Sequence, residues 1–218
     1  YRETMVGGFM GIIPSEWRTL FGGSALTGQC CTPIIFRTSL GPTASVFDPA
    51  NVGVVEPIPS KMIVGYPYEH PGLGTWEANP PGQYYGASDQ IGSVAFPAGT
   101  RSVLFTGRHG ETKCYGVASG DPNVIGTWDP ESQTYYCNDP FDPYKGNHGY
   151  PYIPTMWAYD ANDLLEVKKG NINPWDVQPY VKWQLPGLAL DRPYYLRAGY
   201  YDQATQRYYV GDTSSRDI

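Results

Sequence analysis

Lysine and glutamate, the usual fillers of helix surfaces, are scarce in this chain, and charged residues make up only 17% of its 218 positions. That scarcity argues against a helical protein. No run of 18 or more apolar residues occurs, which leaves no candidate for a membrane-spanning helix. A basic stripe is also missing. The formal net charge is −6 and Lys168-Lys169 is the only adjacent basic pair, so nothing is placed to neutralise phosphates and nucleic-acid binding is set aside. There is no Gly-x-Ser-x-Gly elbow, P-loop or dinucleotide fingerprint, which removes the serine-hydrolase, NTPase and Rossmann readings. The histidines, His70, His109 and His148, have no paired spacing, and no C-x2-C unit is present to hold zinc.

The chain is instead rich in what strands and turns use: 19 Tyr, 26 Gly and 21 Pro, with an apolar fraction of 41% that is enough for a core. Six times an aromatic residue is followed directly by Asp: Phe47-Asp48, Trp128-Asp129, Phe141-Asp142, Tyr159-Asp160, Trp175-Asp176 and Tyr201-Asp202. An Asp at the end of a strand turns its carboxylate onto backbone N–H groups two residues on and starts a turn. The aromatic before it can bury its ring as the strand's last residue. Many short strands, each closed by the same device, are therefore expected.

The clearest elements are two hairpins and one helix. Ile91–Phe96 and Arg101–Gly107 flank Pro97-Ala98-Gly99-Thr100, and Tyr194–Tyr201 pairs with Arg207–Val210. Residues 162–168 form the helix, with Asp160 as N-cap, an acidic first turn, a basic last turn and Gly170 at the end. Pro33–Thr38 reads as a strand whose hairpin mate is Ala44–Phe47, and residues 119–150 read as one long loop. The chain begins at Tyr1, within a stretch that reads as a strand, so the sequence is expected to be part of a longer protein.

Regular short strands with turn signals mean a sandwich, a barrel or a propeller. The stretch Tyr200-Tyr201-Asp202-Gln203-Ala204-Thr205-Gln206-Arg207-Tyr208-Tyr209-Val210 resembles the aromatic-Asp-x-x-Thr-x-Arg-aromatic-Tyr-Val hairpin of β-propeller blades. Met156–Leu165, continuing through Pro174-Trp175, resembles a second blade, and the likeness extends to large uncharacterised secreted bacterial proteins. The resemblance implies a single all-β, propeller-like domain over 1–218, with mostly antiparallel four-stranded blades. A β-sandwich is the alternative. About three blades would fit where a closed ring needs at least four.

An even number of cysteines, Cys30, Cys31, Cys114 and Cys137, fits an oxidising, extracellular or periplasmic compartment. Cys114–Cys137 is the favoured pair, because the two bracket a loop rich in Asp, Pro and Gly; Cys30 and Cys31 can pair with each other, pair with the other two, or stay reduced. Arg37, Arg108, His109 and Arg197 lie in or beside apolar strands and are candidates to bind an anionic group, with His109 also a possible acid or base. Structural pairing of the arginines with Asp48, Asp160 and Asp202 is the blander account. Asp129, Asp139 and Asp142 crowd oxygen ligands on one segment and suggest Ca²⁺, although the prolines around them explain the same aspartates as turn formers. Exposed aromatics such as Trp76, Trp128, Tyr84 and Tyr85 could stack on sugar rings. The sequence identifies no reaction. It is read as an extracytoplasmic binding or scaffold domain with carbohydrate or other protein chains as partners. The alternatives are a glycoside-hydrolase-like enzyme, for which Glu69, Asp89, Glu111 and Asp160 are available carboxylates, and a structural surface or filament subunit.

Overall fold

In the computed structural model, the described residues are 8–30, 40–67, 69–75, 84–141, 144–185, 188 and 196–212. They are predominantly strand. One four-stranded antiparallel sheet runs in chain order, from β1 (Phe9–Ile12) through β2 (Ala25–Cys30) and β3 (Pro42–Phe47) to β4 (Ser60–Val64). After the two-residue strands β5 (Glu69–His70) and β6 (Gly74–Thr75), a second sheet is built from β7 (Gln90–Ala95), β8 (Ser102–Gly110), β13 (Tyr152–Asp160) and β14 (Val181–Gln184), in the order β14-β13-β8-β7. A smaller sheet lies between β8 and β13 in sequence. It comprises β9 (Cys114–Ser119), β10 (Trp128–Asp129), β11 (Thr134–Asn138) and β12 (Lys145–His148), in the order β10-β11-β9-β12, with β11 and β9 parallel. The hairpin of β15 (Leu196–Asp202) and β16 (Arg207–Asp212) packs beside β7.

The two large sheets share one core. Phe9 of β1 meets Phe105 of β8 edge to face, with ring centroids 5.7 Å apart, and Phe105 meets Tyr159 of β13 at 5.2 Å. The strands β1 and β7 approach so closely that a Cβ on Gly11 would lie 2.7 Å from the Val94 carbonyl oxygen. Only glycine fits there. Helix α1 (Ser15–Phe21) brings Trp17 and Phe21 onto Phe96, and α2 (Ala161–Lys169) contributes Leu164, Leu165 and Val167 to the same core.

All-β architecture is therefore found, but no closed propeller is detected among the described residues. The reason is local. The aspartate device fixes how a strand ends and says nothing about which sheet lies against which. As a device it works as expected: Asp48, Asp129, Asp160 and Asp202 each accept a hydrogen bond from the backbone N–H two residues on. Asp176 instead turns back to the Asn173 N–H, and Asp142 lies outside the described residues. Of the preceding aromatics Phe47 and Tyr159 are buried, whereas Trp128 and Trp175 are exposed. Both hairpins form, and α2 has the expected caps, Asp160 at its start and a left-handed Gly170 at its end. The proposed strand Pro33–Thr38 lies outside the described residues, and β3 pairs with β2 and β4.

Three buried phenols link the two sheets. Tyr66, just after β4, donates its hydroxyl to the Val177 carbonyl at 2.6 Å, and its oxygen lies 2.7 Å from that of Tyr159, which is 2.8 Å from that of Tyr85. A carbonyl only accepts, so the direction is set: Tyr85 donates to Tyr159, Tyr159 to Tyr66, and Tyr66 to Val177. Burial pushes all three phenols well above their ordinary range. Tyr159→Phe leaves the Tyr85 donor without an acceptor and is expected to cost about 1–3 kcal/mol. Tyr85→Phe removes only the terminal donor and is expected to cost less. Urea denaturation of the two variants checks the order, and equal costs would contradict it.

Candidate functional sites

The three histidines differ in what their ring nitrogens do. His70 accepts from the Gly72 and Leu73 N–H groups at Nδ1 and faces the Trp175 carbonyl at 2.7 Å through Nε2, which fixes a tautomer protonated at Nε2. His148 faces the Asp139 carboxylate at 3.0 Å through Nδ1 and the Tyr144 carbonyl at 2.9 Å through Nε2. Both partners only accept, an arrangement satisfied by the imidazolium. His109 faces Asp89 at 2.9 Å through Nδ1, while its Nε2 has no hydrogen-bond partner among the described residues.

The Asp89–His109 pair is rigidly held. Asp89 is buried, and its oxygens also accept from the Gly86 and Gly110 N–H groups at 3.0 and 2.9 Å. The His109 side chain is 12% exposed, and its ring meets Trp157 edge-on at 6.4 Å. On the β13 face of the same sheet, Trp157 sits directly opposite Lys182 of β14. A bulge in β7 between Ile91 and Ser93 lies beside this corner, and a Cβ on Gly107 would collide there with the Gln90 carbonyl. Bulges of this kind re-aim neighbouring side chains.

Arg108, next to His109, points the other way. Successive residues of a strand alternate faces, so Arg108 places its guanidinium over the Tyr152 ring, 4.0 Å from the centroid. Arginine and imidazole therefore cannot converge on one anion as the sequence suggested. Arg37 lies outside the described residues, as do Cys31 and Asp142. Arg197 is in β15, and Cys30 ends β2. Asp160 pairs with Arg101 at 3.2 Å.

The two described calcium candidates, Asp129 and Asp139, are engaged separately. Asp129 accepts from the Glu131 and Ser132 N–H groups, and the Ser132 hydroxyl holds its carboxyl below the ordinary range. Asp139 accepts from His148, from the Tyr152 hydroxyl at 2.8 Å and from the Phe141 N–H. Burial pushes the Asp139 carboxyl up, but these hydrogen bonds outweigh it and hold the carboxyl below its ordinary value. Among the described residues no group of three His, Cys, Asp or Glu side chains is placed to hold a metal.

The sequence reads Lys113–Ala118 as a strand, which is found as β9 of the small sheet, but it misses β10, β11 and β12, because residues 119–150 read as loop. The Cys114–Cys137 disulfide, as expected, joins β9 to β11. Its outer end carries Trp128 and Tyr135, directly opposite each other in register, with ring centroids 5.1 Å apart and planes at 78°. They are 51% and 57% exposed. Tyr135 is itself in register with Gly116 of β9, and Gly116 with Gly146 of β12, over which the space is open. Of the other aromatics considered for stacking, Tyr85 is fully buried and Trp76 lies outside the described residues. A separate open groove is lined by Met10, Phe47, Val54, Val55, Pro57 and Ile58.

Comparison of the chain with protein-family models, with curated proteins and with solved structures finds no match in any of the three. No helix among the described residues is long and apolar enough to cross a membrane.

The Asp139 cluster sets a pH dependence. Its folded carboxyl lies below the unfolded one, so its contribution is fully present above the unfolded value of about 3.9 and is lost as pH falls through the folded value. Asp139→Asn is expected to destabilise by about 2 kcal/mol at neutral pH, the scale of hydrogen bonds to a charged group. The gap to the parent protein should shrink as pH falls below about 4. Urea midpoints of both proteins between pH 7 and pH 3 measure it, and a gap that widens on acidification would refute this assignment.

Proposed function

We propose that the chain is an extracytoplasmic binding domain that takes carbohydrate on the Trp128–Tyr135 platform. The carrying observation is the exposed, cross-strand aromatic pair fixed on a disulfide-braced sheet. Free aromatic surface of this size on a rigid element costs solvation unless something covers it. The faces of Trp and Tyr rings suit the C–H faces of sugar rings, and the indole N–H and phenol O–H give each ring a polar handle. Polar residues adjoin the pair along the strands, with Asp129 opposite Thr134. Ser132 and Thr134 share a hydroxyl hydrogen bond of 2.8 Å, and Lys145 reaches the Ser132 carbonyl at 2.7 Å. The disulfide supports an oxidising compartment.

For the architecture, the reading we adopt is two sheets packed on one core rather than a ring of blades, and the Phe9–Phe105 and Tyr66–Tyr159 contacts support it. Binding is preferred over glycoside hydrolysis because two of the carboxylates are already engaged. Asp89 holds His109, Gly86 and Gly110, and Asp160 caps α2 and pairs with Arg101. Hydrolysis by a carboxylate pair needs both groups facing the scissile bond.

Affinity electrophoresis in gels containing soluble polysaccharides of different linkage tests the reading. The parent protein is expected to be retarded by at least one of them. Trp128→Ala and Tyr135→Ala, which remove exposed side chains, should each weaken retardation tenfold or more while the unfolding free energy stays within about 0.5 kcal/mol of the parent. Retardation that survives both substitutions would overturn the assignment of this platform.

A further inference from the structure

We propose that His109 and Lys182, carried by the two strands that flank β13 and on the same sheet face as Trp157, form a binding site for a carboxylate group, with Asp89 holding the imidazole in place. This site is independent of the aromatic platform on the small sheet. Of the three histidines, His70 and His148 have both ring nitrogens committed to protein atoms, and His109 alone leaves one open. The Asp89 contact at Nδ1 orients the ring so that the open nitrogen is Nε2. An imidazole oriented by a buried carboxylate is well suited to carry a proton on its far nitrogen.

Lys182 supplies the second cationic group. It lies opposite Trp157 in register, hence on the sheet face to which the His109 ring also belongs, since Ile153 and Trp157 of β13 pair with His109 and Phe105 of β8. Lys182 is half-buried and makes no hydrogen bond or ion pair with another described residue. Its burial holds the ammonium below the ordinary lysine range, against the pull of Asp89 and Glu111. A desolvated ammonium without a contact partner is stabilised by an incoming anion.

Charge alternation favours a carboxylate in spite of the nearby acids. With ligand bound, negative carboxylate, positive imidazolium and negative Asp89 follow one another, and the Lys182 ammonium supplies a second donor. Asp89 is already enclosed by three N–H donors, and Glu111 is exposed, so water and salt screen its repulsion.

The probe is sodium acetate, titrated into ¹⁵N-labelled protein at constant ionic strength with sodium chloride as control. The His109 ring resonances are expected to move toward the imidazolium form and to saturate in the millimolar range, while those of His148 stay fixed. Lys182→Met should raise the acetate concentration at half-saturation at least tenfold, and His109→Gln should abolish saturable shifts of the Lys182 side chain. A linear response equal to that of chloride, or unchanged saturation in Lys182→Met, would overturn the proposal. The two variants alter different strands, so a folding defect in one leaves the other decisive.

Discussion

A line of three phenolic hydroxyls, running from Tyr85 through Tyr159 to Tyr66 and ending on the Val177 carbonyl, ties the two large sheets together. An oily interface between two sheets tolerates sliding, because dispersion is nearly indifferent to direction. Hydrogen bonds in a dry interior are not indifferent, since an unmet hydroxyl there costs its full desolvation. The three phenols therefore fix the relative position of β4 and β13 while contributing their rings to the core. Tyr85 stacks on Trp157 with centroids 5.2 Å apart, and Trp157 donates its indole N–H to the Tyr84 carbonyl. Trp157 in turn borders His109. The position of the candidate carboxylate site thus depends on the same buried aromatics that register the sheets.

The small sheet is built on another principle. Its strands are two to six residues long and largely polar. Hydrophobic burial cannot hold such a sheet alone. Two features substitute for it: the disulfide across the parallel pair β9 and β11, and the hydrogen-bonded cluster of Asp139, His148 and Tyr152, which ties β12 to the segment after β11 and to β13. Closing a loop with a sequence separation of 23 residues stabilises by about 3 kcal/mol in the chain-entropy picture. Strand pairing is local to this brace, which leaves the aromatic end free to face solvent.

What was legible in the sequence follows from range. Asp48, Asp129, Asp160 and Asp202 act on N–H groups two residues away, and a device of that reach is visible in a string of letters. The hairpins and α2 are equally local. Sheet order is not. Strands β8 and β13 pair across the whole of the small sheet, and β9 pairs in parallel with β11, a contact for which alternating hydrophobicity carries no signal. Residues 119–150 looked like loop because β10 to β12 lack the apolar alternation that marks a half-buried strand. Of the candidate site residues, His109 stood out for following a confident strand. Its partner Asp89, 20 positions earlier, gave no sign of its role, because the β7–β8 hairpin and its bulge bring the two together.

The Asp–His pairs show why residue type alone does not assign a role. Asp89–His109 and Asp139–His148 have nearly the same contact, 2.9 and 3.0 Å between Oδ2 and Nδ1. The difference lies at the far nitrogen. In His148 it meets the Tyr144 carbonyl, so the ring's charge is compensated on both sides and the pair acts as a structural tie. In His109 the far nitrogen has no hydrogen-bond partner among the described residues, and Lys182 lies on the same face of the sheet. A structural pair gains nothing by leaving a polar atom open. An open nitrogen oriented by a buried carboxylate is, by contrast, ready to meet a ligand without further rearrangement, which lowers the ordering cost of binding. The second acceptor, and not the carboxylate, separates the two roles.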